Sequence, residues 1–363
     1  MIDVLRVGTR ASALALTQTR LVAADLAAVG IRTELVPISS RGDTDPSPLV
    51  DLAGRLSGTG IFTSALRDAL LAGEIDVAVH SLKDLPVETP EGLVLAAVPR
   101  REDSADLLVT LDGRGLADLP SGARIGTGSP RRAAMLRSVR PDVQVIPVRG
   151  NVETRLGLLD PTGDQDRQPF DAVVLAAAGL ARLGRSVQAE RLVPPVMLPA
   201  PGQGALAVEM RADHPAATSV SALDDVQTRR SVCAERAVLA RLGAGCTAAV
   251  GALAEPAGSQ QARGASGAEQ LLLRAVVVSA DGSRQASAQA VGPAAEPERL
   301  GSAVGDRLLA EGAAGLLTDG ERLDPPSADD VRLHEETHQH ENGSPAPSQQ
   351  ARDTNPRPRE RAT

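Results

Sequence analysis

The stretch Ile75–Pro86, IDVAVHSLKDLP, indicates both the fold class and the position of a functional site. Its first half is apolar and typical of a buried strand, and Ser81, Lys83 and Asp84 follow at the carboxyl end of that strand. Open α/β sheets bind their ligands at this end of their strands. The stretch therefore predicts an α/β sheet with a ligand cleft, in which Asp84 accepts N–H hydrogen bonds, stabilises a cation and shuttles a proton. The alternative is a surface ion pair between Lys83 and Asp84.

Strand-like and helix-like runs alternate on both sides of this stretch, a pattern typical of α/β sheets with covered faces. A helix is predicted over Ala13–Val29, with Gly30 as its stop. The segment FDAVVLA (170–176) resembles IDVAVHS, and Ile125–Thr127 before a helix resembles Val7–Thr9. This echo predicts two similar lobes that face each other across a cleft. The Pro-rich segment LVPPVMLPAPGQG (192–204) is interpreted as the crossover that returns the chain to the first lobe.

A third region begins near Asp225 with a helix to Leu242 and continues as strands and a final helix, which predicts a small α+β domain. A Gly-, Gln- and Ala-rich insert (256–270) interrupts its first hairpin. From about Asp324 the chain is too polar to offset its ordering entropy by burial, so disorder is expected. A His-Glu-x-x-His pattern at 334–338 falls in this tail without a supporting helix, so no catalytic metal site is expected there; adventitious metal binding is the alternative.

Composition excludes several classes of function. The net charge is −8 and only two residues are aromatic, which argues against general nucleic-acid or membrane-surface binding and against a base-stacking platform. Two cysteines give no disulfide framework and no metal-ligand spacing. The first ten residues lack the pattern of a signal peptide, so a cytoplasmic enzyme is expected. Lys83 is the only lysine, whereas arginine is abundant.

Arginines follow the predicted strands of both lobes. In IGTGSPRRAAML (125–136), the Thr127 and Ser129 hydroxyls, free helix N–H groups, and Arg131 and Arg132 form a predicted anion site. Arginines in a first helical turn oppose the helix dipole, which favours a ligand role for them. Further residues at predicted strand ends are Arg10, Ser12, Arg149, Arg155 and Arg182. Converging guanidinium groups suit a ligand with many carboxylates, whereas solvated or ion-paired arginines are the alternative.

Cys246 lies in the glycine-flanked loop LGAGCTAAVGA (242–252). A buried structural cysteine is one interpretation, and Cys233 fits that role better because it belongs to an apolar helical pattern. The other interpretation of Cys246 is an attachment point for a cofactor.

Nine segments together resemble the porphobilinogen deaminases, also called hydroxymethylbilane synthases. They cover residues 4–253 in order, and a weaker resemblance continues to about 318. The segments are VGTRASALALTQT, SSRGDTD, HSLKDLP, REDSADLLV, IGTGSPRRAAML, VRGNVETRL, LAAAGLARLG, LPAPGQGALAVE and SVCAERAVLARLGAGC.

The resemblance implies an α/β fold with two lobes like those of type II periplasmic binding proteins and a small α+β third domain. The expected bounds are 1–99 with 200–218, 100–199 and 219–320, followed by a disordered tail, 321–363. The implied reaction joins four porphobilinogen molecules head to tail into linear hydroxymethylbilane and releases ammonia. A dipyrromethane cofactor bound through a thioether to Cys246 and a monomeric state are implied as well, and neither nucleic acid nor membrane is an expected partner.

The resemblance also assigns roles. Asp84 is the catalytic group, which faces pyrrole N–H groups, stabilises the positive charge that develops and assists proton transfer. The expected cofactor-binding residues are Cys246, Lys83, Ser81, Thr127, Ser129, Arg131 and Arg132. The expected substrate-binding residues are Arg10, Ser12, Arg149, Arg155, Arg182 and Phe62.

Three positions depart from the family pattern. Thr59 stands where a lysine is frequent, which removes one anion contact or loop gate. Ala244 and Ala249 replace a glycine and a proline around Cys246, which alters the geometry of the loop. Two other functions stay open on the residues alone: a two-lobed solute-binding module, which needs neither Cys246 nor Asp84, and a metal-dependent phosphate-ester enzyme.

Overall fold

The computed structural model describes residues 4–38, 61–162, 168–245, 248–258 and 269–319, without the side chains of residues 61 and 62. The elements of the first part are β1 (Leu5–Thr9), α1 (Ala13–Ala28), β2 (Thr33–Pro37), α2 (Ile61–Leu71), β3 (Val77–Ser81) and β4 (Leu93–Ala97). The next are β5 (Asp106–Val109), β6 (Arg124–Gly126), α3 (Pro130–Val139), β7 (Gln144–Ile146), α4 (Val152–Gly157), β8 (Ala172–Ala176), α5 (Ala177–Arg182), β9 (Ala189–Leu192) and β10 (Leu206–Arg211). The last are α6 (Ala217–Val220), α7 (Val226–Leu242), β11 (Val250–Pro256), β12 (Gln270–Val278), β13 (Gln285–Pro293), α8 (Pro297–Ala310) and α9 (Ala313–Asp319).

Helix α1 shows how the sequence sets the bounds of an element. The Ser12 hydroxyl accepts a hydrogen bond from the Ala15 N–H at 3.3 Å and so caps the first turn. Gly30 follows the helix with φ at +84°, a left-handed conformation that glycine adopts without steric cost. The predicted helix, Ala13–Val29, is confirmed to within one residue.

Two five-stranded sheets form the two lobes, and they share one plan. The strand orders are β2-β1-β3-β10-β4 in the first lobe and β7-β6-β8-β5-β9 in the second. In each sheet the central parallel strands are joined by one strand that runs antiparallel to both of its neighbours. That strand is β10 in the first lobe and β5 in the second. The echo seen in the sequence is therefore confirmed as a repeated architecture.

The chain passes between the lobes twice. Residues 98–105, here the first crossing segment, lead from β4 to β5, and residues 193–205, the second crossing segment, lead from β9 back to β10. The predicted Pro-rich crossover is confirmed by this return. Both crossing segments therefore lie between the lobes and connect them.

The third domain is a three-stranded antiparallel sheet, in the order β11-β12-β13, packed against α7 and α8. Its core contains Val238, Leu273 and Val304, each fully buried. The predicted fold class, two α/β lobes and a small α+β domain, is confirmed. None of the helices within the described ranges is long and apolar enough to span a membrane.

Some predicted elements differ from the observed ones. Strand β3 begins at Val77 rather than Ile75, a difference of the size that is usual at the ends of elements. The Asp76 carboxylate, just before the strand, accepts the Arg6 N–H at 2.8 Å. Strands β4 and β9 were not predicted. Strand β9 is mostly exposed, so its sequence carries no apolar alternation. The tail 321–363 and most of the insert lie outside the described residues.

Candidate active site

The turn that follows β3 presents Lys83 and Asp84. A 3₁₀ turn spans Leu82–Asp84, and both Leu82 and Leu85 are buried in the core behind it. The two leucines anchor the turn, which leaves Lys83 half-buried and Asp84 exposed. One residue earlier, the Ser81 hydroxyl and the Gln18 side-chain amide are hydrogen bonded at 3.0 Å, so Ser81 is tied to α1.

A buried carboxylate, Asp106, organises the cationic side of the site. One of its oxygens lies 2.8 Å from Arg131 Nη1 and the other 2.8 Å from Arg132 Nη2. Gln203 Nε2 donates to Asp106 at 2.9 Å, and Lys83 Nζ donates to Gln203 Oε1 at 3.4 Å. The network joins the first lobe, the second lobe and the second crossing segment, so the site lies between the lobes.

This network corrects one premise of the sequence analysis. Arg131 and Arg132, in the first turn of α3, were interpreted as ligand-binding because they oppose the helix dipole. Asp106 neutralises much of that unfavourable charge within the protein, and Arg132 Nη1 also donates to the Val174 carbonyl at 2.9 Å. Both arginines are buried and have a structural role, so their position in the helix is not by itself a sign of a ligand.

Electrostatics at the site shift two pKa values strongly. Burial and the charges of Arg132 and Arg131 lower the pKa of Lys83, and Asp84 and Asp106 raise it; the net effect is a pKa of about 8. Burial alone would raise the pKa of Asp106, but Arg131, Arg132 and the Gln203 hydrogen bond outweigh it and lower that pKa to about 2. Asp106 is therefore ionised at physiological pH, and Lys83 loses its proton more readily than an ordinary lysine.

Arg155 approaches the same cluster from α4. The Asn151 side chain caps this helix by accepting the Thr154 N–H at 2.9 Å. A Cβ at Gly128 would lie 2.5 Å from the Val148 carbonyl oxygen and 3.8 Å from Arg155 Nη2, so glycine permits this close packing. Burial lowers the pKa of Arg155, Arg132 lowers it further and Asp84 raises it, which indicates that Arg155 lies near both.

Arg182 reaches the second crossing segment instead. Its Nη2 donates to the Gly204 carbonyl at 2.7 Å. Burial lowers the pKa of Arg182, and the charge of Glu102 in the first crossing segment raises it. This arginine therefore bridges α5 to the segments that connect the lobes, in addition to any contact with a ligand.

Positive charge and unused donors remain at the site. Four cationic side chains interact with only two carboxylates, Asp84 and Asp106. The cationic side chains are those of Lys83, Arg131, Arg132 and Arg155. The Nε atoms of Arg131, Arg155 and Arg182 are buried and have no hydrogen-bond partner in the described part of the chain. Buried unsatisfied donors are costly. The arrangement therefore suits a ligand that brings carboxylates.

The remaining predicted residues are placed less centrally. Thr127 is buried and its hydroxyl accepts the Ser129 N–H at 3.2 Å, whereas the Ser129 hydroxyl caps α3 by accepting the Arg132 N–H at 3.4 Å. Arg10 is half-buried between β1 and α1, and Ser12 caps α1. Arg149 is exposed.

Three residues of the sequence analysis lie outside the description. Cys246 and Thr59 are not among the described residues, and nor is the side chain of Phe62. Across the described ranges, no group of three or more His, Cys, Asp or Glu side chains is arranged to hold a metal ion.

Sequence reasoning missed Asp106 and Gln203. Asp106 begins β5, where a single acidic residue before an apolar run carries no periodic signal. Gln203 sits in the Pro- and Gly-rich second crossing segment, which was interpreted only as a hinge. The one available signal was the pair of adjacent arginines, Arg131 and Arg132. If both are buried, they require a carboxylate partner.

Two family models match this chain. The model for "Porphobilinogen deaminase, dipyromethane cofactor binding domain" matches residues 5–219, and that for "Porphobilinogen deaminase, C-terminal domain" matches residues 230–310.

Several curated proteins are similar over most of their length. Porphobilinogen deaminase 1 of Streptomyces coelicolor is 48% identical over 329 residues, which is 88% of this chain and 98% of the relative. Porphobilinogen deaminase of Acidothermus cellulolyticus is 48% identical over 90% of this chain and 96% of its own. That of Thermobifida fusca is 50% identical over 78% and 84%, respectively. Among solved structures, the methionine-binding protein MetQ is similar over 63% of this chain and 91% of its own, with a TM-score of 0.37 and 13% identity.

Proposed function

We propose, from the premise that this chain belongs to the porphobilinogen deaminase family, that it joins four porphobilinogen molecules head to tail into hydroxymethylbilane, in tetrapyrrole biosynthesis. Each joining step forms one carbon–carbon bond, releases ammonia from the aminomethyl group and frees the proton of the attacking pyrrole carbon. After four steps one water molecule releases the tetrapyrrole and supplies its hydroxyl group. The observation that carries the proposal is the surplus of buried and half-buried cationic side chains beside one exposed carboxylate, Asp84, between the lobes.

The arginines would bind the acetate and propionate groups of the substrate. Arg155 combines burial, an unsatisfied Nε and an electrostatic interaction with Asp84, so it is well placed to receive a carboxylate near the reacting ring. Together with Arg155, the proposed substrate-binding residues are Arg10, Ser12, Phe62, Arg149 and Arg182. Their shared chemistry is charge-assisted hydrogen bonding, with Phe62 as an apolar contact.

The residues of the cationic cluster also fit a dipyrromethane cofactor, which the family implies. Lys83, Arg131 and Arg132 would bind its carboxylates, and the unsatisfied Nε of Arg131 is one donor available for them. Ser81, Thr127 and Ser129 would add hydroxyl contacts, and Cys246 would supply the sulfur of the thioether. When bound, this group supplies a free pyrrole carbon as the nucleophile for the first addition.

Asp84 would act on the pyrrole N–H side of the reacting rings. Its exposure leaves the carboxylate free to accept N–H hydrogen bonds, and its negative charge stabilises the cation that forms when ammonia leaves. The same carboxylate can relay the proton that the new bond displaces. Buried Leu82 and Leu85 hold the turn that presents it.

We also propose a monomer in the cytoplasm, with domains at 1–99 with 200–218, 100–199 and 219–320. These assignments follow from the family and from the two crossing segments, which divide the chain near the same positions.

Intact mass spectrometry tests the proposal. Protein produced with porphobilinogen available is expected to carry the mass of a two-ring adduct, and added porphobilinogen should give further species one ring apart, up to four additions. Cys246→Ser should lack the adduct, whereas Cys233→Ser, the matched control, should carry it. A wild-type chain that has only its sequence mass and does not consume porphobilinogen would refute the proposal.

A further inference from the structure

Helix α7 of the third domain donates hydrogen bonds to the backbone of the turn that carries Lys83 and Asp84. This segment, residues 82–87, is called the Asp84 turn below. Arg236 Nη1 donates to the Leu85 carbonyl at 2.8 Å, and Nη2 donates to the Pro86 carbonyl at 2.8 Å. Longer hydrogen bonds reach the carbonyls of Val87 at 3.2 Å and Leu82 at 3.5 Å. One guanidinium therefore donates to the carbonyls of four of the six residues of the turn.

The same face of α7 also packs against the side chains of the turn. Val232 lies four residues before Arg236, one helical turn away on the same face. It is buried in one apolar cluster with Leu82 and Leu85. The helix thus holds the turn twice, by apolar packing beneath it and by hydrogen bonds to its carbonyls.

A second path leads from α7 to the turn through the second crossing segment. Glu235, adjacent to Arg236, accepts the Gly202 N–H at 2.7 Å. A Cβ at Gly202 would lie 3.2 Å from Leu82 Cγ and 3.4 Å from the Lys83 backbone nitrogen, so the backbone of this segment lies directly against the turn. The Asp84 turn is therefore enclosed between α7 and a segment that α7 also holds.

The chemistry of the contact requires a guanidinium. Arginine offers five N–H donors in a planar fork and keeps its charge at all physiological pH values, whereas lysine offers three donors from one point. The acceptors are spread over six consecutive residues, from Leu82 to Val87. Loss of the fork would leave several carbonyls unsatisfied and would let the turn shift, and Asp84 lies within it.

We infer that Arg236 is a positioning residue for Asp84, through which the third domain fixes the catalytic carboxylate. The inference rests on the proposed function, because it presumes that Asp84 takes part in joining porphobilinogen units. Arg236 itself need not touch substrate: its effect is transmitted through the backbone of the Asp84 turn.

The test compares Arg236→Gln and Arg236→Lys with Arg229→Gln as a matched control. Arg229 lies on the same helix and also donates to first-lobe carbonyls, those of Leu95 at 3.1 Å and Ala96 at 3.4 Å. Both targets belong to β4, not to the Asp84 turn. The control therefore removes a comparable contact between the third domain and the first lobe at another place.

Each variant is first checked by intact mass for its cofactor, and then kcat, KM and Tm are measured with porphobilinogen. Arg236→Gln should lower kcat by about tenfold to a hundredfold, the range for a displacement of about 1 Å at a reacting group, with KM within about twofold of wild type. Arg236→Lys should be intermediate. Arg229→Gln should lower Tm but keep kcat.

Equal kcat for Arg236→Gln and Arg229→Gln, measured below both Tm values, would overturn the inference, as would a loss confined to KM. Where Arg236→Gln does not fold, Arg236→Lys decides by the same criteria. A wild-type chain that does not consume porphobilinogen would refute the proposed function, and the positioning role would fail with it. Active wild type with unaffected Arg236 variants would refute the positioning role alone.

Discussion

Lys83 is the only lysine of the chain, and it lies where two arginines and burial oppose its positive charge. Its pKa is lowered to about 8, against an ordinary value of 10.5. A single lysine permits an unambiguous measurement: selective carbon-13 labelling of lysine gives one side-chain resonance by NMR. Its titration midpoint should lie near 8 in the Cys246→Ser chain, which lacks the cofactor, and should rise when cofactor or substrate carboxylates bind nearby. A midpoint near 10.5 in the cofactor-free chain would contradict the described environment.

The same shift has a consequence for stability. Because the folded pKa of Lys83 lies below the unfolded one, the unfolded chain binds more protons between about pH 8 and about pH 10.5, and the free energy of unfolding rises with pH in that window. Below about pH 8 the buried charge costs stability. Lys83→Met should remove this rise of the free energy of unfolding between about pH 8 and about pH 10.5.

Single residues also show how far the sequence predicts the site. Lys83 and Asp84 are predicted correctly as neighbours at the end of a strand, because strand ends are set by local patterning. Asp106 could not be predicted in the same way. Its importance arises from the approach of Arg131 and Arg132 across the second lobe, which depends on the sheet order β8-β5 rather than on local sequence.

Among the connecting elements, the second crossing segment is constrained at Gly204. Its φ is +88°, and a Cβ there would lie 2.5 Å from the Glu102 carbonyl oxygen in the first crossing segment. Gly204→Ala should therefore suffer both backbone strain and a backbone collision, and lose at least about 3 kcal/mol of stability. Gly30→Ala is the control, since Gly30 has φ at +84° with nothing within 4 Å of the added Cβ. It should lose only about 1 kcal/mol.

Urea denaturation of Gly204→Ala and Gly30→Ala measures how much the free energy of unfolding falls in each. Similar losses would show that the two crossing segments do not lie as close together as described. Because Arg182 donates to the Gly204 carbonyl, Gly204→Ala should also lower activity, whereas Gly30→Ala should not.

Elements differ in how well their sequence predicts them. Helix α1 carries its own cap and stop, so its bounds follow from local chemistry. The local sequence does not predict strand β9, because Glu190 and Arg191 are exposed and give no apolar alternation. The strand forms by pairing with β5. Antiparallel insertion of β5 and β10 likewise depends on the chain crossing twice between lobes.

At the scale of the whole molecule, Glu235 links all three domains. Its carboxylate is fully buried and binds the Arg101 guanidinium at 2.7 Å and 3.0 Å, in the first crossing segment. It also accepts the N–H groups of Gly202, in the second crossing segment, at 2.7 Å, and of Ala254, in β11, at 3.0 Å. The two crossing segments and the third-domain sheet thus meet at one side chain.

Glu235→Gln should therefore destabilise the protein far more than an isosteric change suggests. The amide nitrogen would replace an acceptor with a donor and leave Arg101 without its buried counter-charge, at a cost of about 3–5 kcal/mol. Glu269→Gln is the control: Glu269 pairs with Arg230 at 2.6 Å, but its side chain is 70% exposed. That pair is worth at most about 1 kcal/mol.

Urea denaturation followed in each domain should show the third domain unfolding separately from the lobes in Glu235→Gln alone. A single cooperative transition with equal losses in both variants would contradict the role of Glu235 as the link between the domains.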